Sequence, residues 1–115
     1  MEYGMEQGIK REQFILDPGM GAFVSSDPKY SLEILARLQE FEEFGLPILA
    51  GVSRKGFIGD VLARDGGRLP VKDRLAGSLA CAAIAVMHGA RIIRAHDVKD
   101  TRRAIDMTLA IAEQK

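Results

Sequence analysis

The chain has 115 residues, 47% hydrophobic and 6% aromatic, with no Trp, one Cys, and 16 Lys+Arg set against 16 Asp+Glu. That is one ordinary domain at most, apolar enough to fill a core, with no run approaching the roughly 18 apolar residues of a membrane span. Balanced charge argues against the basic stripe of a nucleic-acid binder, and a lone Cys81 beside an N-terminus without signal-peptide features points to a reducing cytoplasm.

In chain order, Met1 to Gly8 resembles the remains of a helix. Phe14-Ile15-Leu16 is a short apolar run stopped by Asp17-Pro18-Gly19, the pattern of a buried strand ending at a turn. Asp27-Pro28 supplies an N-cap and a proline for the first helical position. Leu32, Leu35, Leu38 and Phe41 then predict a helix up to Gly45. Pro47-Ile48-Leu49-Ala50-Gly51-Val52 is apolar on both alternating faces, as in a parallel strand covered on both sides. Lys55 to Arg64 reads as a short helix, and Asp65-Gly66-Gly67 as an exposed turn. A longer helix is expected from about Asp73 to His88, with Leu75, Leu79, Ala83 and Val86 on one face and enough Ala, Gly and Ser to pack closely. Gly89 sits where a left-handed C-cap belongs, and His88 beside it reads as part of the cap. Arg91 to His96 reads as a third strand, and Asp100 is placed to cap a last helix through about Glu113.

This β-α-β-α-β-α order predicts an α/β fold with parallel strands and right-handed crossovers. Three βα units are too few to close a barrel, which takes about 250 residues when complete. The expected architecture is therefore a partial (β/α)8 barrel, with residues 1–115 as a single piece of a larger domain.

In such folds ligands bind beyond the C-terminal ends of the strands, where loops and helix N-termini present unpaired N–H groups. Each expected strand ends in polar residues: Asp17 after the first, Ser53-Arg54-Lys55 after the second, Arg94 and His96 at the end of the third. Asp17 is either a turn cap or a carboxylate that accepts two parallel N–H bonds from an aminopyrimidine-like edge. Ser53-Arg54-Lys55 is either a solvated turn or the source of a cation at the site mouth, with Lys55 the better placed of its two cations. Arg94 and His96, two apart on a strand, leave the same face; a guanidinium there can stack on a flat ring or bind phosphate, and an imidazole adds a donor. The structural alternatives are a salt bridge from Arg94 to Asp97 or Asp100 and a satisfied histidine at His96. Cys81, among alanines and without an adjacent base, reads as a packed small residue. No metal cluster is visible at ligand spacing.

Four segments together resemble the ordered signatures of the dihydropteroate synthase family: Ile15-Leu16-Asp17-Pro18-Gly19-Met20-Gly21, Ser53-Arg54-Lys55, Arg74-Leu75-Ala76-Gly77-Ser78-Leu79-Ala80 and Ile93-Arg94-Ala95-His96-Asp97-Val98. The resemblance runs from about Phe14 to the end and corresponds to the last three βα units of an eight-unit barrel. It implies a transferase that joins 6-hydroxymethyl-7,8-dihydropterin pyrophosphate to p-aminobenzoate, releasing pyrophosphate on the route to folate. By that resemblance Asp17 binds the aminopyrimidine edge of the pterin. Lys55 reaches the pterin ring and borders the p-aminobenzoate site. Arg94 and His96 hold the departing pyrophosphate, and Arg94 also packs on the pterin face. Lys55, Arg94 and His96 are thus the expected catalytic residues.

Two positions depart from the family pattern. The first motif continues Ala22-Phe23-Val24-Ser25, closest to the Asp-Pro-Gly-Met-Gly variant group, so Phe23 is the expected aromatic wall for p-aminobenzoate. Gly56 follows Lys55 where the family usually has Ser, leaving a backbone N–H in place of a hydroxyl. The resemblance also implies magnesium, held by a residue of the earlier strands, and a site completed by an N-terminal half or by self-association. The isolated chain is accordingly expected to turn over little or nothing. Competing readings are a pterin-binding methyltransferase domain and a non-catalytic barrel remnant that survives by pairing its open edges with another copy.

Overall fold

A computed structural model describes residues 15–19, 27–63 and 67–114. The expected helix over Met1 to Gly8, Phe14, Phe23 and most of the Asp65-Gly66-Gly67 turn lie outside these residues. Among the described residues the order is helix α1 (Pro28–Ala36), a 3-10 helix (Leu38–Phe44), strand β1 (Ile48–Ala50), helix α2 (Gly56–Val61), a 3-10 turn (Val71–Asp73), helix α3 (Leu75–Met87), strand β2 (Ala90–Ile93) and helix α4 (Val98–Ala112).

The two strands pair in parallel, with Ala50 opposite Ile93 and an irregularity after Ile48, whose partner is Ala90 while Leu49 pairs with Ile92. Leu16 forms an isolated parallel bridge on the other side of β1: its N–H donates to Pro47 O and its carbonyl accepts from Leu49 N–H, both at 2.9 Å. Three parallel segments therefore run side by side in the order Leu16, β1, β2, and their C-terminal ends point the same way. This is a partial α/β barrel, as the alternating pattern predicts.

The core lies where α1, α2 and α3 close over the strands. Leu35, Leu38, Ile48, Ala50, Val52, Phe57, Ile58, Ala82, Ala85 and Ala90 are all buried there. Burial of both Ile48 and Ala50 with Leu49 half-buried matches a strand covered on two faces.

Four expectations need correction. The helix expected from Asp27 to Gly45 is α-helical only to Ala36 and then tightens into 3-10 geometry. The spacing explains it: Leu32, Leu35, Leu38 and Phe41 recur every three residues, and an α-helix with 3.6 residues per turn cannot keep them on one face. Leu32 is left 43% exposed, while the 3-10 segment buries Leu38 and stacks Phe41 on Phe44 with ring centroids 6.4 Å apart. Asp27 caps α1 as expected, its Oδ1 accepting from Lys29 N–H at 3.0 Å, and Gly45 ends the segment at φ 65°.

In α3 the deepest face is Ser78, Ala82 and Ala85 rather than Leu75, Leu79, Ala83 and Val86; Leu75 is exposed. Small side chains win because they allow close approach: a Cβ on Gly77 of this helix would collide with Ile58 Cγ2 of α2. Strand β2 stops at Ile93, before Arg94 and His96. Arg94 N–H still donates to Ala50 O at 3.0 Å, but the next ladder position is lost because His96 N–H turns to Ser53 Oγ at 3.1 Å. Finally, Asp97 rather than Asp100 occupies the N-cap position of α4, without a capping side-chain bond, since its carboxylate is engaged elsewhere.

Candidate functional site

The parallel register brings Asp17, the Ser53-Arg54-Lys55 turn and the Arg94-to-Asp97 turn to one end of the strands. Asp17 is exposed, and its Oδ1 accepts from Gly19 N–H at 2.9 Å, the local turn bond that an Asp-Pro-Gly sequence favours. Ser53, just past β1, is 8% exposed and meets His96 twice, through His96 N–H at 3.1 Å and through Nδ1 at 3.0 Å. Arg94 lies over Gly51: a Cβ there would be 2.9 Å from Arg94 Nη2. Gly51 is thus the residue that lets the guanidinium settle on the strand end.

Arg94 makes no ion pair among the described residues: of its two expected structural partners, Asp97 is held by Arg54 and Asp100 does not pair with it. Arg54 Nη2 donates to Asp97 Oδ1 at 2.8 Å and Nε to Oδ2 at 3.2 Å, a two-pronged pair. Hydrogen bonding from the Arg54 guanidinium, with its charge and that of His96 adding attraction, holds the Asp97 carboxyl below the usual carboxylate range. Lys55 and Asp17 make no hydrogen-bonded or ionic contact with Arg94 or His96 among the described residues. The structure therefore ties His96 to Ser53 and leaves Asp17, Lys55 and Arg94 as separate groups around the same strand ends.

Sequence reasoning passed over a layer of residues beneath these. Arg54 has a left-handed backbone, φ 56°, which is uncommon for a residue with a side chain. Two residues of the Arg74-to-Ala80 segment hold it there: Ser78 Oγ accepts from Arg54 N–H at 2.8 Å, and Arg74 Nη1 donates to Arg54 O at 3.0 Å. Arg74 is 6% exposed and also donates from Nε to Leu69 O at 2.8 Å. Room for it comes from Gly59, where a Cβ would stand 2.7 Å from the guanidinium. The signal was present in sequence as an arginine in an otherwise apolar, small-residue helix start, since a buried arginine demands fixed acceptors.

Gly56 opens α2, and the Arg68 guanidinium lies 3.2 Å from where its Cβ would be, with Arg68 paired to Asp60 at 2.7 and 2.9 Å. Cys81 is packed against the core, and burial pushes its thiol up to about 11, consistent with an inert small residue. His88 is the C-cap of α3, and its Nδ1 lies 2.8 Å from Leu35 O, joining α3 to α1. Among the described residues no three His, Cys, Asp or Glu side chains cluster to hold a metal ion, and no helix is long and apolar enough to cross a membrane. A groove of about 1270 Å³ lies between the strands and α4, past Ile48, Ile105 and Leu109, and reaches the strand ends at Arg94 and Ala95.

Comparison with known proteins adds to this geometry. The family described as pterin binding enzyme matches residues 2–96. The dihydropteroate synthase of Escherichia coli K12 is 48% identical over 113 residues, which cover 96% of this chain and 38% of that protein. A type-3 dihydropteroate synthase of Escherichia coli is 43% identical over 108 residues, 93% of this chain and 39% of the relative. Among solved structures, a Yersinia pestis dihydropteroate synthase with a pterin–sulfa conjugate superposes with a TM-score of 0.88 at 39% identity, covering 99% of this chain and 42% of that one. A Coxiella burnetii dihydropteroate synthase in complex with pteroic acid gives 0.87 at 40% identity, covering 99% and 40%. The chain thus spans about two fifths of the length of these relatives.

Proposed function

The chain belongs to the pterin-binding enzyme family, and from that premise we propose that it is the C-terminal portion of a dihydropteroate synthase, residues 1–115 forming the last three units of its barrel. The reaction we assign is condensation of 6-hydroxymethyl-7,8-dihydropterin pyrophosphate with p-aminobenzoate to give 7,8-dihydropteroate and pyrophosphate. One observation carries the reading: the parallel register gathers Asp17, Lys55, Arg94 and His96 at one end of three adjacent strand segments.

Each role follows from the group's chemistry. The Asp17 carboxylate accepts from the aminopyrimidine edge of the pterin, using the oxygen that Gly19 leaves. Arg94, spread over Gly51 without an ion-pair partner among the described residues, offers a planar cation to the pterin face and to the pyrophosphate. His96, oriented by Ser53 through Nδ1, presents Nε2 to the same anion. Lys55 reaches the pterin ring and borders the p-aminobenzoate pocket, which the Gly56 N–H and Phe23 help to form; Phe23 is outside the described residues. Breaking the methylene C–O bond sends its electron pair to pyrophosphate and leaves a delocalised cation at the pterin methylene. The p-aminobenzoate nitrogen then bonds to that carbon and gives up a proton. Positioning and anion stabilisation carry such a step, and no covalent nucleophile is needed.

Magnesium enters this reading as a counterion for pyrophosphate. No three His, Cys, Asp or Glu side chains cluster among the described residues, and the resemblance puts the magnesium ligand on earlier strands of the barrel. We place the protein in the cytoplasm, with its open barrel edge covered by a complementing N-terminal half or by a second copy. Pyrophosphate release in the presence of both substrates tests the proposal, alongside titration with pteroic acid. The isolated chain should bind pteroic acid yet turn over little or nothing. Turnover equal to that of a full-length synthase would overturn the fragment assignment; a folded chain that ignores pteroic acid would overturn the site.

A further inference from the structure

Arg54 is the one non-glycine residue with positive φ among the described residues, and its backbone N–H, its carbonyl and two of its guanidinium nitrogens are all engaged. Its N–H goes to Ser78 Oγ at 2.8 Å, its carbonyl takes Arg74 Nη1 at 3.0 Å, and its guanidinium grips both Asp97 oxygens at 2.8 and 3.2 Å. One residue earlier, Ser53 Oγ holds the backbone N–H of His96 at 3.1 Å and lies 3.0 Å from its ring Nδ1. Two consecutive residues of the turn after β1 are thus bonded to two consecutive residues of the turn after β2, Ser53 to His96 and Arg54 to Asp97. The α3 helix start anchors the pair from below.

We propose that Arg54 is a positioning residue: it holds a left-handed turn that sets the register of Lys55 and, through Asp97, locks that turn to the one carrying Arg94 and His96. The two strand ends then act as one unit. The proposal rests on the site assignment above for its functional consequence, but the locking itself does not.

Two features argue for a device rather than a solvated ion pair. A left-handed residue with a side chain is strained and persists only where its surroundings hold it, and here a buried arginine and a buried serine do so. The pair joins residues 43 apart in sequence, so it constrains two loops rather than one helix surface. Glycine, which adopts positive φ at no steric cost, would keep the backbone but lose the link to Asp97. That separates the two halves of the proposal experimentally.

The test uses the purified 115-residue chain and four variants: Arg54→Ala, Arg54→Gly, Asp97→Asn and the double variant Arg54→Ala with Asp97→Asn. Circular dichroism establishes that each is folded. Without ligand, NMR follows the Lys55 amide and the His96 ring. We expect Asp97→Asn, whose substitution lies in the β2 turn, to move the Lys55 signal, and Arg54→Ala to move the His96 ring signal. Arg54→Gly should move His96 while sparing Lys55 more than Arg54→Ala does. Signals that shift only within the mutated turn would overturn the lock. With inorganic pyrophosphate as the probe, each single variant should raise the Kd about fivefold, the scale of one partly exposed bidentate pair, and the double variant should be no weaker than either single one. Additive losses, or no loss in a wild type that binds, contradict the proposal. Should the folded wild type ignore pyrophosphate, the site assignment fails, and the NMR shifts still decide whether the turns are locked.

Discussion

Gly77 has no room for a side chain, because a Cβ on it would run into Ile58 Cγ2 and stand 3.1 Å from Leu62 Cδ1. Ile58 is a buried core residue of α2 and Leu62 is the half-buried residue that ends it, so the collision is relieved only by moving one helix against another. Gly77→Ala is therefore expected to destabilise by about 1–3 kcal/mol, the range of an overpacked interior, despite the better helix propensity of alanine; denaturant unfolding that finds the variant as stable as wild type would contradict the packing. The Asp97 carboxyl gives a second prediction. Its native pKa lies below its unfolded value, chiefly through the Arg54 hydrogen bonds. Its stabilisation is accordingly complete at pH above the unfolded value of about 4 and fades as pH falls through the native value. Thermal unfolding between pH 7 and pH 2 should show a shallower acid loss in Asp97→Asn than in wild type; identical slopes would mean the pair is idle. The residues at strand ends were legible in the sequence because polar groups closing apolar runs stand out. What Arg54 does was not, since nothing in Ser-Arg-Lys announces a positive φ, and its partners lie 24 and 43 residues away.

At the level of elements, the alternation of strand and helix was legible from periodicity and from caps such as Asp27 and Gly89, the latter at φ 107°. Boundaries were less so. Strand β2 ends where His96 exchanges a ladder bond for Ser53, a contact between distant segments that no local pattern encodes. The helix after Asp27 changes geometry because its leucines recur every three residues, a period the eye assigns to an α-helix but which fits 3-10 better. This makes a differential prediction. Leu38, fully buried in the 3-10 segment, should cost about 2–5 kcal/mol when replaced by alanine. Leu32, 43% exposed on α1, should cost within about 0.5 kcal/mol on replacement. Urea denaturation of Leu32→Ala and Leu38→Ala decides it; equal losses would restore a single continuous amphipathic helix. In α3 the same lesson appears as small residues at the deepest positions, where close approach to α2 outweighs the area a leucine would bury.

For the molecule as a whole, β2 has no strand on its outer edge among the described residues, a groove of about 1270 Å³ lies between the strands and α4, and α4 presents Val98, Met107 and Ile111 at 62–69% exposure. Open strand edges and apolar patches of this kind seek partners. Sedimentation of the isolated chain should show self-association in the micromolar range; a monomer across that range would mean the exposed faces are tolerated. Partial-barrel architecture was legible from element count against length, whereas what covers the edge was not, because that information resides in surfaces complementary to these. Asp17 and Arg94, separated by 77 positions in sequence, are proposed to share one pterin pyrophosphate pocket. Calorimetric titration of the wild-type chain, Asp17→Asn and Arg94→Ala with a non-hydrolysable dihydropterin pyrophosphate analogue in the presence of magnesium addresses it most directly. Wild type should bind saturably, and each variant about tenfold or more weakly, as expected for loss of a charged hydrogen-bonding partner. A folded wild type that does not bind, or variants that bind equally well, would contradict the shared pocket.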